Sequence, residues 1–106
     1  MSDRSAVTSS TSASTPAAPA VLLDVRTADE YALGHLAGAV NLDISDRSFI
    51  DGVRTLDRTA SYGVYCHSGA RSRAAAQVLQ AAGFSSVRDL GPLGAARHAT
   101  GCEVVR

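Results

Sequence analysis

The chain has 106 residues, with ten basic and ten acidic side chains and a formal net charge of zero. That length fits one small domain with one core, and the balanced charge argues against nucleic-acid binding, which is built from excess Lys and Arg. Every basic residue is Arg, which excludes Schiff-base chemistry, a Ser-Lys dyad and the lysine of a nucleotide phosphate loop; no run of 18 apolar residues exists, so no transmembrane helix is expected.

The first element in chain order is a tail. Ser5 to Pro19 holds only Ser, Thr, Ala, Pro and one Val. Such a stretch has too little apolar surface to offset its ordering entropy. Residues 1–19 are therefore expected to be disordered, and residues 20–106 to form the domain. The start Met1-Ser2-Asp3-Arg4 carries an acid and no apolar h-region follows, so no secretory signal is expected.

Val21 to Val25 is a short apolar, β-branched run and reads as a buried strand. Thr27-Ala28-Asp29-Glu30 has the spacing of a capping box, so a short helix should follow and end near Gly34 as its αL cap. Ala39 to Leu42 reads as a second strand. Ser45 to Leu56 places Phe49, Ile50, Val53 and Leu56 at helical spacing, weakened by Gly52. Gly63-Val64-Tyr65 is a third strand. Ser72 to Ala82 is the clearest helix, with Ala75, Val78, Leu79 and Ala82 on one face and Gly83 after it. Ser86 to Leu90 is a fourth strand and Leu93 to Thr100 a short helix. Glu103-Val104-Val105 is either a fifth strand or a tail. Strands alternating with helices point to a parallel α/β sheet.

Two cysteines, Cys66 and Cys102, stand 36 positions apart, which gives neither a metal knuckle nor a disulfide framework. The chemistry concentrates at Val64-Tyr65-Cys66-His67-Ser68-Gly69-Ala70-Arg71-Ser72. A strand ends at Cys66, a polar loop follows, and an Ala-rich helix begins. Sites in open α/β sheets form at the carboxyl ends of strands. A helix N-terminus directs free N–H groups and a positive dipole end there, which favours a thiolate over a thiol. Gly69 permits the curled backbone that aims several N–H groups at one point. Arg71 adds a positive planar fork suited to oxyanions. The bland alternative is a structural Cys closing a core strand; the small and polar residues after Cys66 favour the reactive reading.

With these residues in place, the chain resembles the single-domain rhodanese family of sulfurtransferases. The resemblance rests on Asp24-Val25-Arg26, Glu30-Tyr31, Gly34 to Asn41, Tyr65 to Ser72 and Ala81 to Phe84, in the family's order and spacing. It implies a rhodanese-like α/β fold, with a parallel sheet of about five strands and helices on both sides. It implies that Cys66 carries sulfur as a persulfide, held by the loop residues His67, Ser68, Gly69, Ala70 and Arg71. It further implies ping-pong transfer from thiosulfate or a similar donor to cyanide or a thiol. Rhodanese-like phosphatases and arsenate reductases place an arginine after five intervening residues; here four separate Cys66 from Arg71, and Arg73 comes one position too late. Family members often carry a Gly-Gly pair and a Trp near the last helix. Here Pro92 replaces a glycine and Ala96 falls about where the Trp would be, which implies a looser C-terminal helix.

The remaining candidates divide between support and chemistry. Asp24 and Arg26 are expected to form an ion pair bracing the site. His35 reads as a structural hydrogen-bonding residue, His98 as surface and Cys102 as a small apolar filler or a resolving thiol. His67 adjoins the nucleophile, so substrate contact and solvent exposure both stay open. Asp43, Asp46, Asp51 and Asp57 match no calcium loop and read as a solvated acidic face. The leading reading is a cytoplasmic thiosulfate sulfurtransferase without metal or cofactor, acting on small donors and acceptors, with no nucleic-acid or membrane partner. The second is a persulfide carrier or interaction module, loaded by a partner protein of a sulfur relay.

Overall fold

The computed structural model describes residues 19–106. The disordered tail expected over residues 1–19 lies, apart from Pro19, outside the described residues. The elements run β1 (Val21–Asp24), α1 (Ala28–Leu33), β2 (His35–Leu36), β3 (Val40–Asn41), α2 (Phe49–Arg54), β4 (Ser61–Cys66), α3 (Ala70–Ala81), β5 (Ser86–Pro92), α4 (Leu93–Thr100) and β6 (Val104–Val105). Among the described residues, four strands form a parallel sheet in the order β3-β1-β4-β5. No helix among the described residues is long and apolar enough to cross a membrane.

Among the described residues, the expected fifth parallel strand does not join this sheet. Val104–Val105 instead pairs antiparallel with β2, with Leu36 opposite Val104 and His35 opposite Val105. After α4 the chain turns back through Gly101, whose φ of 73° lies in the left-handed region. It then runs along β2, whose backbone groups lie outside the main sheet and need partners.

Strand periodicity divides the core. Leu23, Val25, Tyr62, Val64 and Cys66 pack with Phe49, Val53, Ala75, Leu79 and Phe84. The alternate positions Leu22 and Tyr65 pack with Leu36, Ala39, Leu90 and Ala96. Both faces of the central strands are thus covered, as expected for parallel strands. Gly63 lies in β4, where an added Cβ would come within 2.7 Å of Leu90 and 2.8 Å of Pro19. Only glycine fits this close approach. Ala96 is completely buried in the second cluster, where Tyr65 is the largest fully enclosed side chain. The Leu36 N–H donates to the Tyr65 hydroxyl at 2.9 Å, which satisfies that buried polar group. The absent Trp is therefore matched by a close-packed Ala, and α4 is formed over the expected Leu93–Thr100.

Several boundaries differ from the sequence reading, and three of them bear on helices. The helix expected from Ser45 begins at Phe49, because Asp43 and Asp46 draw the preceding backbone into turns. Asp43 accepts from the Ser45 N–H at 2.8 Å and Asp46 from the Ser48 N–H at 2.8 Å. The capping box of α1 is present, with Thr27 and Glu30 satisfying each other's backbone donors. Gly34, however, is not an αL cap: its φ of 154° and ψ of 132° carry the chain straight into β2. Finally, α3 begins at Ala70, with Gly69 at its N-cap in the left-handed region (φ 101°).

Candidate active site

Cys66 is the last residue of β4 and has no exposed surface. The chain then passes through His67 and Ser68 and enters α3 over Gly69. The left-handed backbone of Gly69 turns its N–H back onto the sulfur: the Gly69 N to Cys66 Sγ distance is 2.9 Å. Burial pushes the Cys66 thiol up, but hydrogen bonding from the Ser72 N–H, the Ser72 hydroxyl and the Gly69 and Arg71 N–H groups more than offsets it, and the pKa lies below its ordinary value. The thiolate is thus favoured by donors on the first turn of a 12-residue helix, whose dipole has the same sign.

The five other candidate residues separate. Gly69 and Arg71 contribute backbone donors to the sulfur. His67, Ser68 and Ala70 are exposed, and no side chain among them bonds to Sγ. The fork of Arg71 was expected to face an anion at the thiol. Instead it is occupied, with Nη1 donating to Glu30 Oε1 at 2.7 Å and Nη2 to Glu30 Oε2 at 3.0 Å. A bidentate carboxylate matches the guanidinium geometry, so this pairing outcompetes solvent. It holds the Glu30 carboxyl down at about 2, and the Thr27 N–H bond pulls in the same direction.

Behind the loop lies the expected brace. Arg26 Nε donates to Asp24 Oδ1 at 2.9 Å and Nη2 to Asp24 Oδ2 at 2.6 Å, with Asp24 fully buried and Arg26 nearly so. A second Nη2 contact, 2.6 Å, reaches the Gly34 carbonyl. His35 places Nδ1 2.8 Å from the Tyr31 carbonyl oxygen and stacks on the Tyr31 ring, a structural role. His98 is exposed, and Cys102 is half-buried against the second cluster.

The site roles of three participants escaped the sequence reading. Ser72, fully buried, places Oγ 2.7 Å from Asp89 Oδ1 and 3.0 Å from the Gly69 carbonyl oxygen. Asp89 reaches it because β5 bulges beside β4, where Val64 pairs with Asp89 but Tyr65 with Gly91. Glu30 entered the sequence reading as a local cap and within the family resemblance; nothing in its spacing signals the contact with Arg71.

The chain is similar to known proteins in sequence and fold. A family model described as a rhodanese-like domain matches residues 10–91. The chain is 41% identical over 68 residues to thiosulfate sulfurtransferase GlpE of Pseudomonas entomophila, covering 64% of this chain and 61% of that protein. It is 39% identical over 71 residues to the protein of the same name from Pseudomonas fluorescens, covering 67% and 63%. The matched stretch thus spans less than two thirds of these curated relatives. Among solved structures, a rhodanese-like domain from Anabaena superposes with a TM-score of 0.70 at 29% identity, covering 81% of this chain and 98% of that one. A thiosulfate sulfurtransferase from Pseudomonas aeruginosa gives a TM-score of 0.68 at 36% identity, covering 81% of this chain but 16% of that one.

Proposed function

Because the chain belongs to the rhodanese-like domain family, we propose that it is a thiosulfate sulfurtransferase working through a Cys66 persulfide. The observation that carries this reading is the Gly69 N–H held 2.9 Å from a Cys66 sulfur whose thiolate form is favoured. In the first half-reaction the Cys66 thiolate attacks the outer sulfur of thiosulfate. The new bond joins Sγ to that sulfur, the sulfur–sulfur bond of thiosulfate breaks, and sulfite leaves with the electron pair. In the second, a thiophilic acceptor takes the outer sulfur and Cys66 departs as a thiolate. The sulfur is covalently held between steps, so each barrier is crossed separately.

The loop donors serve both steps. Negative charge stays near Sγ throughout, as thiolate, then persulfide, then thiolate, and fixed N–H groups stabilise it without reorganising. Since Glu30 occupies the Arg71 fork, the anionic donor is held by the backbone N–H groups and the helix dipole, and Arg71 acts mainly as a nearby positive charge. Phosphoryl transfer is disfavoured for the same reason: the arginine that would clamp a tetrahedral oxyanion is already engaged. Mass spectrometry after thiosulfate treatment tests the reading. One added sulfur, located on Cys66 and removed by cyanide as thiocyanate, is the expected result; an unmodified Cys66 would overturn it.

A further inference from the structure

The Cys66 loop has the parts of an oxyanion site. The N–H groups of Gly69, Arg71 and Ser72 converge on Sγ, and the Arg71 guanidinium lies near enough to feel the charge of Cys66 after that of Glu30. A guanidinium beside fixed N–H groups binds two oxygens of any tetrahedral anion. Phosphate and sulfate share the shape and charge of thiosulfate but carry no sulfur that a thiolate can take. Seated at the loop, they would cover Sγ and block loading.

The chain fills that fork with a carboxylate of its own. Glu30 Oε1 and Oε2 accept from Nη1 and Nη2 of Arg71 at 2.7 and 3.0 Å. Glu30 also lines the cleft that borders the loop at His67. Its position does not depend on Arg71 alone, because the Thr27 N–H donates to Oε1 at 3.1 Å and the Glu30 N–H to Thr27 Oγ1 at 3.2 Å. The carboxylate is therefore held in place before an anion arrives. Both side chains are about one-third exposed, so an anion in solution reaches the pair and must displace Glu30 to gain the fork.

We propose that Glu30 is a specificity-determining residue, which by filling the Arg71 fork keeps all-oxygen tetrahedral anions such as phosphate and sulfate from occupying the Cys66 loop as dead-end ligands. This rests on the sulfur-transfer reading above. An open fork would read only oxygens, which phosphate, sulfate and thiosulfate all present, so it would tighten the three alike. With the fork filled, each meets the backbone N–H groups alone and leaves readily. Thiosulfate is the one retained, because its outer sulfur bonds to Sγ while its sulfur–sulfur bond breaks and sulfite leaves with the electron pair. Selection thus passes from anion binding to bond formation at Sγ, and Glu30 acts against the competitors.

The test measures thiosulfate loading of the full chain in the presence of inorganic phosphate or sulfate, at constant ionic strength because exposed ion pairs are screened by salt. Glu30→Gln keeps an oxygen for the Thr27 N–H and removes the charge. The inhibition constants of phosphate and sulfate should fall about tenfold or more in this variant. The half-saturating thiosulfate concentration should fall with them, with no rise in the limiting loading rate, since the fork holds ground state and transition state alike. A merely structural Glu30 would weaken loading on replacement and never tighten anion binding. Arg71→Ala added to Glu30→Gln should abolish the gain; a gain that survives overturns the assignment to the fork. Glu30→Ala covers the case in which the Gln amide retains Arg71, and no tighter phosphate binding in either variant overturns the proposal while leaving the persulfide reading standing. Failure of thiosulfate to load wild-type Cys66 overturns the sulfur-transfer reading and the proposal with it.

Discussion

Glu30 and Arg71, 41 positions apart, are joined by two parallel hydrogen bonds of 2.7 and 3.0 Å. The same carboxylate accepts from the Thr27 N–H at 3.1 Å, so one side chain both caps α1 and pins the first turn of α3. The loop that surrounds Cys66 is thus fastened to the far side of the site by a pair that no spacing in the sequence signals.

This pair has a pH signature. Glu30 titrates at about 2 in the folded chain against an ordinary 4.5. A depressed folded value means stability that is present above the ordinary pKa and lost as pH falls toward the folded one. Between roughly pH 4.5 and pH 2 the wild-type chain should lose a contribution that Glu30→Gln never had. Both side chains are about one-third exposed, so the difference at neutral pH should be modest, about 1 kcal/mol after solvent screening. Urea unfolding of both proteins at pH 7 and pH 3 checks this: the gap should narrow at the lower pH. A gap independent of pH would mean the pair contributes nothing beyond packing.

Ser72 has one hydroxyl proton and three claimants: Asp89 Oδ1 at 2.7 Å, the Gly69 carbonyl at 3.0 Å and the Cys66 sulfur. Asp89→Asn removes a negative charge and the strongest competitor, so the Cys66 pKa should fall. Ser72→Ala removes a donor to the sulfur, so it should rise. The pH profile of iodoacetamide alkylation measures both. Shifts in the same direction would show that the hydroxyl does not mediate between Asp89 and the thiol.

The two cysteines belong to opposite faces of β4. Cys66 is in the cluster with Val64, and Cys102 packs beside the one with Tyr65. Cys66→Ser should abolish persulfide formation, whereas Cys102→Ser should keep most thiosulfate:cyanide turnover. Replacing a half-buried sulfur by a hydroxyl should cost about 1 kcal/mol or less of stability. Equal loss of turnover in both variants would favour a disulfide relay.

The local features of this chain were legible because they are written in adjacent residues. The Thr27-Glu30 box, the helix starting at the cysteine loop and the Asp24–Arg26 brace each depend on spacings of a few positions. What was not legible depends on which strands become neighbours. Asp89 meets Ser72 only because β5 lies beside β4 and bulges there. Arg71 meets Glu30 only because α1 and the Cys66 loop lie at the same end of the sheet. The fate of Val104–Val105 depended likewise on β2 lying outside the main sheet. An arginine next to a nucleophile reads as an anion clamp until its partner is known.

Gly69 offers the most direct test of the donor geometry. Its φ of 101° belongs to the left-handed region, and an added Cβ would meet Pro92 Cδ at 3.5 Å, an ordinary contact. Space is therefore not the obstacle in Gly69→Ala; the backbone is. Holding a Cβ-bearing residue in that conformation costs about 1–2 kcal/mol, and the chain can relieve it by rotating the peptide that aims the N–H at Sγ. If the backbone relaxes, the Cys66 pKa rises and persulfide formation slows by about tenfold or more, with little loss of stability. If it holds, the strain appears as a lower melting temperature with the thiol unchanged. Thermal unfolding, alkylation and thiosulfate loading on one sample separate the two, and the first outcome is expected because the loop is exposed on both sides of Gly69. An alanine variant unchanged in all three measurements would mean that this N–H does not govern the thiolate.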